Sequence, residues 1–144
     1  MEKFVYVTYI SSTPRKVWRA LIDPKQTAKY WGHDNISSWK RGAKWEHRRS
    51  GKKTVDLVGK VVEFSPARRL VLTWAHTADE GRRDRHSRLT IEIAPFRKIA
   101  RLTVTHDRLR RDSDMLEGIT YGWPIVLSSL KTLLETGRPL PKLW

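Results

Sequence analysis

The strongest constraint on the fold is the apolar pattern of the C-terminal part of the chain. Apolar residues recur at i, i+4, i+7 and i+11, which predicts a long amphipathic helix that Gly137 ends. The stripe comprises Trp123, Val126, Leu127, Leu130, Leu133 and Leu134. The helical patterns nearer the N-terminus are too short to bury it. We therefore expect this helix to lie across one face of a β-sheet.

Two short helices are predicted near the N-terminus. The segment "SSTPRKVWRALID" favours a helix, because Ser12 or Thr13 can cap it and Pro14 suits its first turn. Asp23 ends that helix and can cap a second one. Gly32 is suited to end the second helix in the left-handed conformation.

The remaining patterns predict strands. Phe4–Ile10 is rich in aromatic and β-branched residues, and 36–106 alternates apolar and polar residues between turns. Gly59 interrupts one long strand and suggests a bulge or sharp bend there. We expect an α+β fold with an antiparallel sheet of about six to seven strands and two short helices after the first strand. No linker is apparent, so 1–144 is predicted to be one domain.

The charge of the chain is unusual. Its 29 Lys and Arg residues against 15 Asp and Glu residues give a net charge of +14. Such a field attracts acidic proteins and other polyanions, so an acidic protein partner remains open. The sequence lacks helix-turn-helix, zinc-finger and RNA-binding patterns, and we do not expect nucleic-acid binding. The absence of a signal peptide, of a long apolar run and of cysteine predicts a cytoplasmic protein without a membrane span.

Three histidines share a strand phase with an apolar neighbour. They are paired as Trp45 with His47, Trp74 with His76, and Val104 with His106. Because strand side chains alternate, these histidines can converge on one face as polar ligand contacts or as acid–base groups. The alternative is that they lie at strand ends and bond to backbone or to nearby carboxylates. No HxH or HxxxH pair occurs, so no metal site is predicted.

Tryptophan is the second candidate for a binding surface. Seven tryptophans in a chain of this size can line an aromatic cavity or simply fill the core. Known catalytic patterns are missing, since the sequence has no nucleophile elbow, phosphate loop or dinucleotide fingerprint. We therefore predict no catalytic residues and no cofactor.

Four stretches resemble the START-like (SRPBCC) superfamily and occur in the order typical of it. They are "VWRALIDPKQTAKYWG", "GKVVEFSPARRLVLTW", "RLTVTHD" and "GWPIVLSSLKTLLETG". Within the superfamily they are similar to proteins related to the C-terminal domain of activators of the heat-shock protein 90 ATPase. The resemblance implies a helix-grip fold, in which a curved antiparallel sheet wraps a long C-terminal helix. Full chaperone activators have an additional N-terminal domain, so the resemblance implies little about chaperone activity.

The resemblance also implies a cavity between helix and sheet that holds an apolar ligand in many relatives. Our favoured hypothesis is a non-catalytic domain that binds a small hydrophobic ligand. The alternatives are a protein-binding role through the basic surface and a cyclase- or hydrolase-like enzyme that uses His76 or His106 as a base. The candidate cavity residues are Trp31, Trp45, His47, Trp74, His76, His106, Trp123 and Leu127.

Pro124 is unexpected so close to the start of the last helix. Proline removes one helical hydrogen bond, and Gly122 loosens the same point. We predict either a kink or a helix that begins anew at Trp123, which places Trp123 at the mouth of the cavity.

Overall fold

Seven strands and three α-helices occur in residues 1–142, the part of the chain that the computed structural model describes. In chain order they are β1 (Glu2–Ile10), α1 (Pro14–Ile22), α2 (Pro24–Trp31), β2 (His33–Ser37), β3 (Lys44–Arg49), β4 (Val55–Ser65), β5 (Arg69–His76), β6 (Ser87–Phe96), β7 (Ile99–Leu109) and α3 (Asp114–Thr136). Two short 3-10 turns, Thr77–Asp79 and Arg83–Arg85, lie between β5 and β6. Within 1–142, no helix is long and apolar enough to cross a membrane.

The seven strands form one antiparallel sheet in the order β1-β7-β6-β5-β4-β3-β2. The first strand therefore pairs with the last, while the other neighbours are consecutive in the chain. The sheet curves around α3, whose buried side chains join those of α1 and the sheet in one core. This arrangement confirms the predicted α+β helix-grip fold.

The two short helices begin and end where their capping residues predict. The hydroxyl of Thr13 accepts a hydrogen bond from Lys16 N at 3.2 Å, so Thr13 rather than Ser12 is the N-cap of α1. Asp23 accepts from Lys25 N at 2.9 Å and caps α2, and Gly32 ends α2 with a φ of 70°. Each cap satisfies backbone groups that a helix end leaves without a partner.

The long helix α3 begins earlier than the sequence pattern indicates. Ser113 accepts a hydrogen bond from Leu116 N at 3.0 Å and starts one helix that continues through Pro124 to Thr136. The predicted new start at Trp123 is therefore wrong. Proline removes only one hydrogen bond of a helix, and the neighbouring turns are held by a buried face on both sides of it. That face comprises Ile119, Trp123, Val126, Leu127, Leu130 and Leu133.

Gly59 does not interrupt β4, which runs without a break from Val55 to Ser65. The shift in pairing with β5 lies further on, between Val61 and Glu63. Gly59 is required for a different reason, because a Cβ atom there would collide with the carbonyl oxygen of Thr73. The indole of Trp45 lies against Gly59 and donates a hydrogen bond to the same oxygen at 2.8 Å.

Candidate functional site

Three tryptophans from three different elements meet at one end of the core. Trp31 ends α2, Trp74 lies on β5 and Trp123 lies on α3. Their ring centroids are separated by 5.2 Å for Trp31 and Trp123, 5.7 Å for Trp74 and Trp123, and 6.4 Å for Trp31 and Trp74. Aromatic pairs at such distances are mutually attractive, so the rings form a rigid wall.

This wall borders an apolar pocket of about 220 Å³ between the sheet and the first half of α3. Leu57 on β4 lines the side of the sheet. His76 and Asp114 lie exposed at its rim. The helix contributes Met115, Gly118, Ile119, Gly122, Trp123 and Val126. Concave, mainly apolar depressions with a few polar groups are the usual form of small-molecule sites.

Two helical glycines create part of this space. A Cβ atom built at Gly118 or Gly122 meets nothing within 4 Å, so neither glycine is required for close packing. Glycine inside a helix costs about 1 kcal/mol relative to alanine. The chain thus accepts a less stable helix at the two positions that face the pocket.

His47 is the buried polar side chain of the pocket wall, with 3% of its surface exposed. Its Nδ1 lies 2.5 Å from the side-chain oxygen of Asn35. Burial lowers the pKa of His47 well below its ordinary value of 6.5, and the charge of His33 acts in the same direction. His47 is therefore neutral near pH 7, with Nδ1–H donating to Asn35 and Nε2 left as an acceptor.

His106 belongs to a hydrogen-bond chain behind the pocket. The indole of Trp123 donates to its Nδ1 at 3.2 Å, and its Nε2 lies 2.7 Å from the Ser87 hydroxyl. Ser87 in turn donates to the carbonyl oxygen of Trp74 at 3.1 Å. Because an indole N–H can only donate, Nδ1 of His106 is the acceptor and the ring proton is on Nε2. Nε2–H therefore donates to the Ser87 hydroxyl, which donates to the Trp74 carbonyl. Burial lowers the pKa of His106 to about 3, which keeps it neutral.

Five of the eight candidate residues line the pocket, namely Trp31, His47, Trp74, His76 and Trp123. Trp45, His106 and Leu127 are buried next to it and do not line it. His76 is exposed at the rim, and His106 uses both ring nitrogens for hydrogen bonds. The indole N–H of Trp74 is buried without a partner in residues 1–142.

The pocket residues that sequence reasoning missed lie mostly on the first half of α3. Met115, Ile119, Gly122 and Val126 follow one another at i, i+4, i+7 and i+11, which is the spacing of a helix face. Val126 already belongs to the predicted apolar stripe, and continuing that stripe backward through Pro124 would have found the other three. Across residues 1–142 there is no cluster of three His, Asp or Glu side chains that could hold a metal ion.

Comparison with known families identifies the chain. The model of the Activator of Hsp90 ATPase homolog 1-like protein family matches residues 11–135. The chain belongs to this family. The match includes α1, α2, all strands but β1, and nearly all of α3, so the pocket lies within the family region. No curated protein matches the chain.

Solved structures of similar proteins share the fold of this family member. The Aha1 dimer from Colwellia psychrerythraea has a TM-score of 0.79 and 20% identity, and the match covers 95% of this chain and 98% of that one. Protein MLL2253 from Mesorhizobium loti has a TM-score of 0.77 and 24% identity, with 92% and 96% covered. An HSP90 activator from Plasmodium falciparum has a TM-score of 0.76 and 20% identity, with 93% and 96% covered.

Proposed function

We propose that this domain binds a small, largely apolar ligand in the pocket between the sheet and α3. The observation that supports the proposal is the pocket itself, with Trp31, Trp74 and Trp123 as its wall. The interior has no charged group at neutral pH, because the buried His47 is neutral. The carboxylate among the pocket residues is that of Asp114, which is exposed at the rim. An uncharged, aromatic interior favours an apolar occupant.

The size of the pocket limits the ligand. An apolar cavity of about 150 Å³ in another protein accepts benzene. The pocket here has about 220 Å³ and is open on one side. It suits one substituted aromatic ring or a fused pair of rings, and a long lipid chain would have to extend out of it.

The proposal is tested by tryptophan fluorescence and isothermal titration calorimetry with small aromatic ligands. Gly118→Leu or Gly122→Leu places a side chain in the open space, and we expect either change to abolish binding while the fold is retained. Thr120→Leu is the matched control, because Thr120 is exposed on the same helix and does not line the pocket. Unchanged binding in both glycine variants would show that ligands do not occupy this pocket.

A second proposed function is binding to an acidic protein, with a chaperone of the heat-shock protein 90 type as the first candidate. Two observations favour it: the family match and the net charge of +14. Attraction between exposed charges is screened within about 8–10 Å at moderate salt. We therefore expect purified chaperone to be retained by the immobilised domain at 50 mM salt and released at about 300 mM. No retention at low salt would exclude this function.

A further inference from the structure

A second depression joins the apolar pocket at its open side. It has a volume of about 380 Å³ and lies where β7 ends and α3 begins, next to the two 3-10 turns. His76, Asp114 and Met115 line both depressions, so the two form one continuous surface. The second depression is polar, and its cations are Arg85, Arg108, Arg110 and Arg111. We call it the arginine cleft.

The fold places Arg108 in the cleft by means of a β-bulge. The pairing of β1 with β7 shifts between Glu2 opposite Leu109 and Phe4 opposite His106. Arg108 has a φ of 57° at this point, a left-handed conformation that is uncommon for a residue other than glycine. As a result His106 and Leu109 are both buried, and Arg108 is exposed at the cleft. Strict alternation after His106 would have turned Arg108 toward the core instead.

Two of the four arginines have carboxylate partners. Arg111 lies 3.1 Å from Glu2, and Arg85 lies 4.0 Å from Asp79. Arg108 and Arg110 form no ion pair with any side chain in 1–142. Their guanidinium groups are therefore available to a ligand.

The cleft also contains three carboxylates, which oppose the binding of an anion. Asp112 and Asp114 lie at the N-terminus of α3, where the partial positive charge of the helix end offsets a negative charge. The third, Asp79, is opposite Arg85. The helix end offsets only part of the charge of Asp112 and Asp114, but four arginines against three carboxylates still leave the cleft with a net charge of +1. Together with the net charge of +14 on the chain, this makes the potential at Arg108 and Arg110 favourable for an anion.

We propose that the ligand of this domain is an amphipathic carboxylate, whose ring occupies the apolar pocket and whose carboxylate lies on Arg108 and Arg110. This inference rests on the proposed ligand-binding function and specifies its chemical class. The planar guanidinium group pairs with a carboxylate through two parallel N–H···O bonds, which gives both orientation and affinity. Neutral aromatic compounds of the same shape would use the apolar pocket without this pairing.

The test compares two probes of nearly the same size and shape, 4-phenylbutyrate and 4-phenylbutanamide, in which an uncharged amide replaces the carboxylate. Each has one ring for the pocket and a flexible chain that reaches toward the cleft. Binding is measured by isothermal titration calorimetry at 50 mM and 500 mM salt on the full chain. We expect the carboxylate to bind about tenfold more tightly than the amide at low salt, and the ratio to fall at high salt.

Charge variants distinguish the effect of the cleft arginines on affinity from the effect of the overall positive charge of the protein. In Arg108→Gln/Arg110→Gln we expect the acid to lose its tenfold advantage while the amide binds as before. Arg97→Gln/Lys98→Gln removes the same charge from the β6–β7 turn, at the opposite end of β7, and is expected to keep most of the advantage. Circular dichroism of all variants checks that the fold is retained.

Three outcomes contradict the proposal. Equal affinity for acid and amide in the unchanged protein overturns the carboxylate inference and leaves the apolar pocket in place. An equal loss in both charge variants shows that only the bulk field acts, which also overturns it. If neither probe binds, both the carboxylate ligand and the proposed ligand-binding function are wrong.

Discussion

The two glycines of α3 allow a prediction in which stability and binding change in opposite directions. A Cβ atom at Gly118 or Gly122 meets nothing within 4 Å, so Gly118→Ala/Gly122→Ala introduces no clash. Each alanine should stabilise the helix interior by about 1 kcal/mol. Because the sites are one turn apart and interact, we expect a combined gain of about 1.5–2 kcal/mol in the free energy of unfolding. The corresponding rise in Tm is about 5 °C for a chain of this length.

The same change should weaken ligand binding. Both new methyl groups project into the space that the ligand is proposed to use. A methylene-sized misfit in an apolar pocket costs about tenfold in affinity. Urea unfolding followed by tryptophan fluorescence measures the stability, and calorimetry with 4-phenylbutanamide measures the binding.

Gly137→Ala is the matched control for this prediction. It is the same substitution at the C-terminal cap of the same helix, and the new Cβ atom again meets nothing within 4 Å. Gly137 differs in having a φ of 85°, where alanine is strained, so we expect a loss of about 1 kcal/mol. Unchanged or reduced stability in Gly118→Ala/Gly122→Ala would refute the claim of open space. Increased stability with unchanged affinity would show that the ligand does not use the space next to these glycines.

Three further predictions concern the scaffold around the pocket. Gly59→Ala should destabilise the fold by more than about 2 kcal/mol in urea unfolding, because the methyl group collides with the Thr73 carbonyl; a loss below 0.5 kcal/mol would contradict this (roughly the size of a surface substitution). Burial lowers the pKa of His106 to about 3 in the folded state, so this neutral histidine contributes stability that is present above pH 6.5 and is lost as the pH falls. Its share of the slope of the unfolding free energy is about 0.7 kcal/mol per pH unit at pH 6.5 and approaches about 1.4 kcal/mol per pH unit near pH 5. His106→Gln should reduce the slope by that share, and an unchanged slope would show that His106 is not held neutral. Asp23→Ala should cost about 1 kcal/mol through the lost cap of α2, measured by thermal unfolding, and a neutral result would contradict the capping role.

Local patterns in the chain were sufficient for the helix starts and the class of fold. The caps at Thr13 and Asp23 and the stop at Gly32 depend on residues only a few positions apart, and the alternation of the strands is local as well. The apolar stripe of the last helix is too long for the two short helices to bury, so the pattern also indicated that this helix packs on a sheet. The antiparallel α+β arrangement and the long helix on the sheet follow from these patterns together.

The start of α3 shows where local reasoning was misleading. Pro124 judged alone allows a restart of the helix at Trp123, yet the helix begins ten residues before Pro124, at Asp114. Its first half is held by contacts that are distant in sequence, such as Trp123 against Trp31 and Trp74. Missing this half of the helix also meant missing five of the twelve residues that line the pocket, namely Asp114, Met115, Gly118, Ile119 and Gly122.

Tertiary packing alone decides which histidine lines the pocket and which supports the scaffold. Alternation places His47 and His106 on inward-facing positions, and both are buried. Only the three-dimensional arrangement shows that His106 is enclosed between Ser87 and Trp123, whereas His47 lines the pocket. The bulge that turns Arg108 outward likewise depends on how β1 pairs with β7. Such contacts join residues far apart in the chain, and a pattern of neighbouring residues contains no information about them.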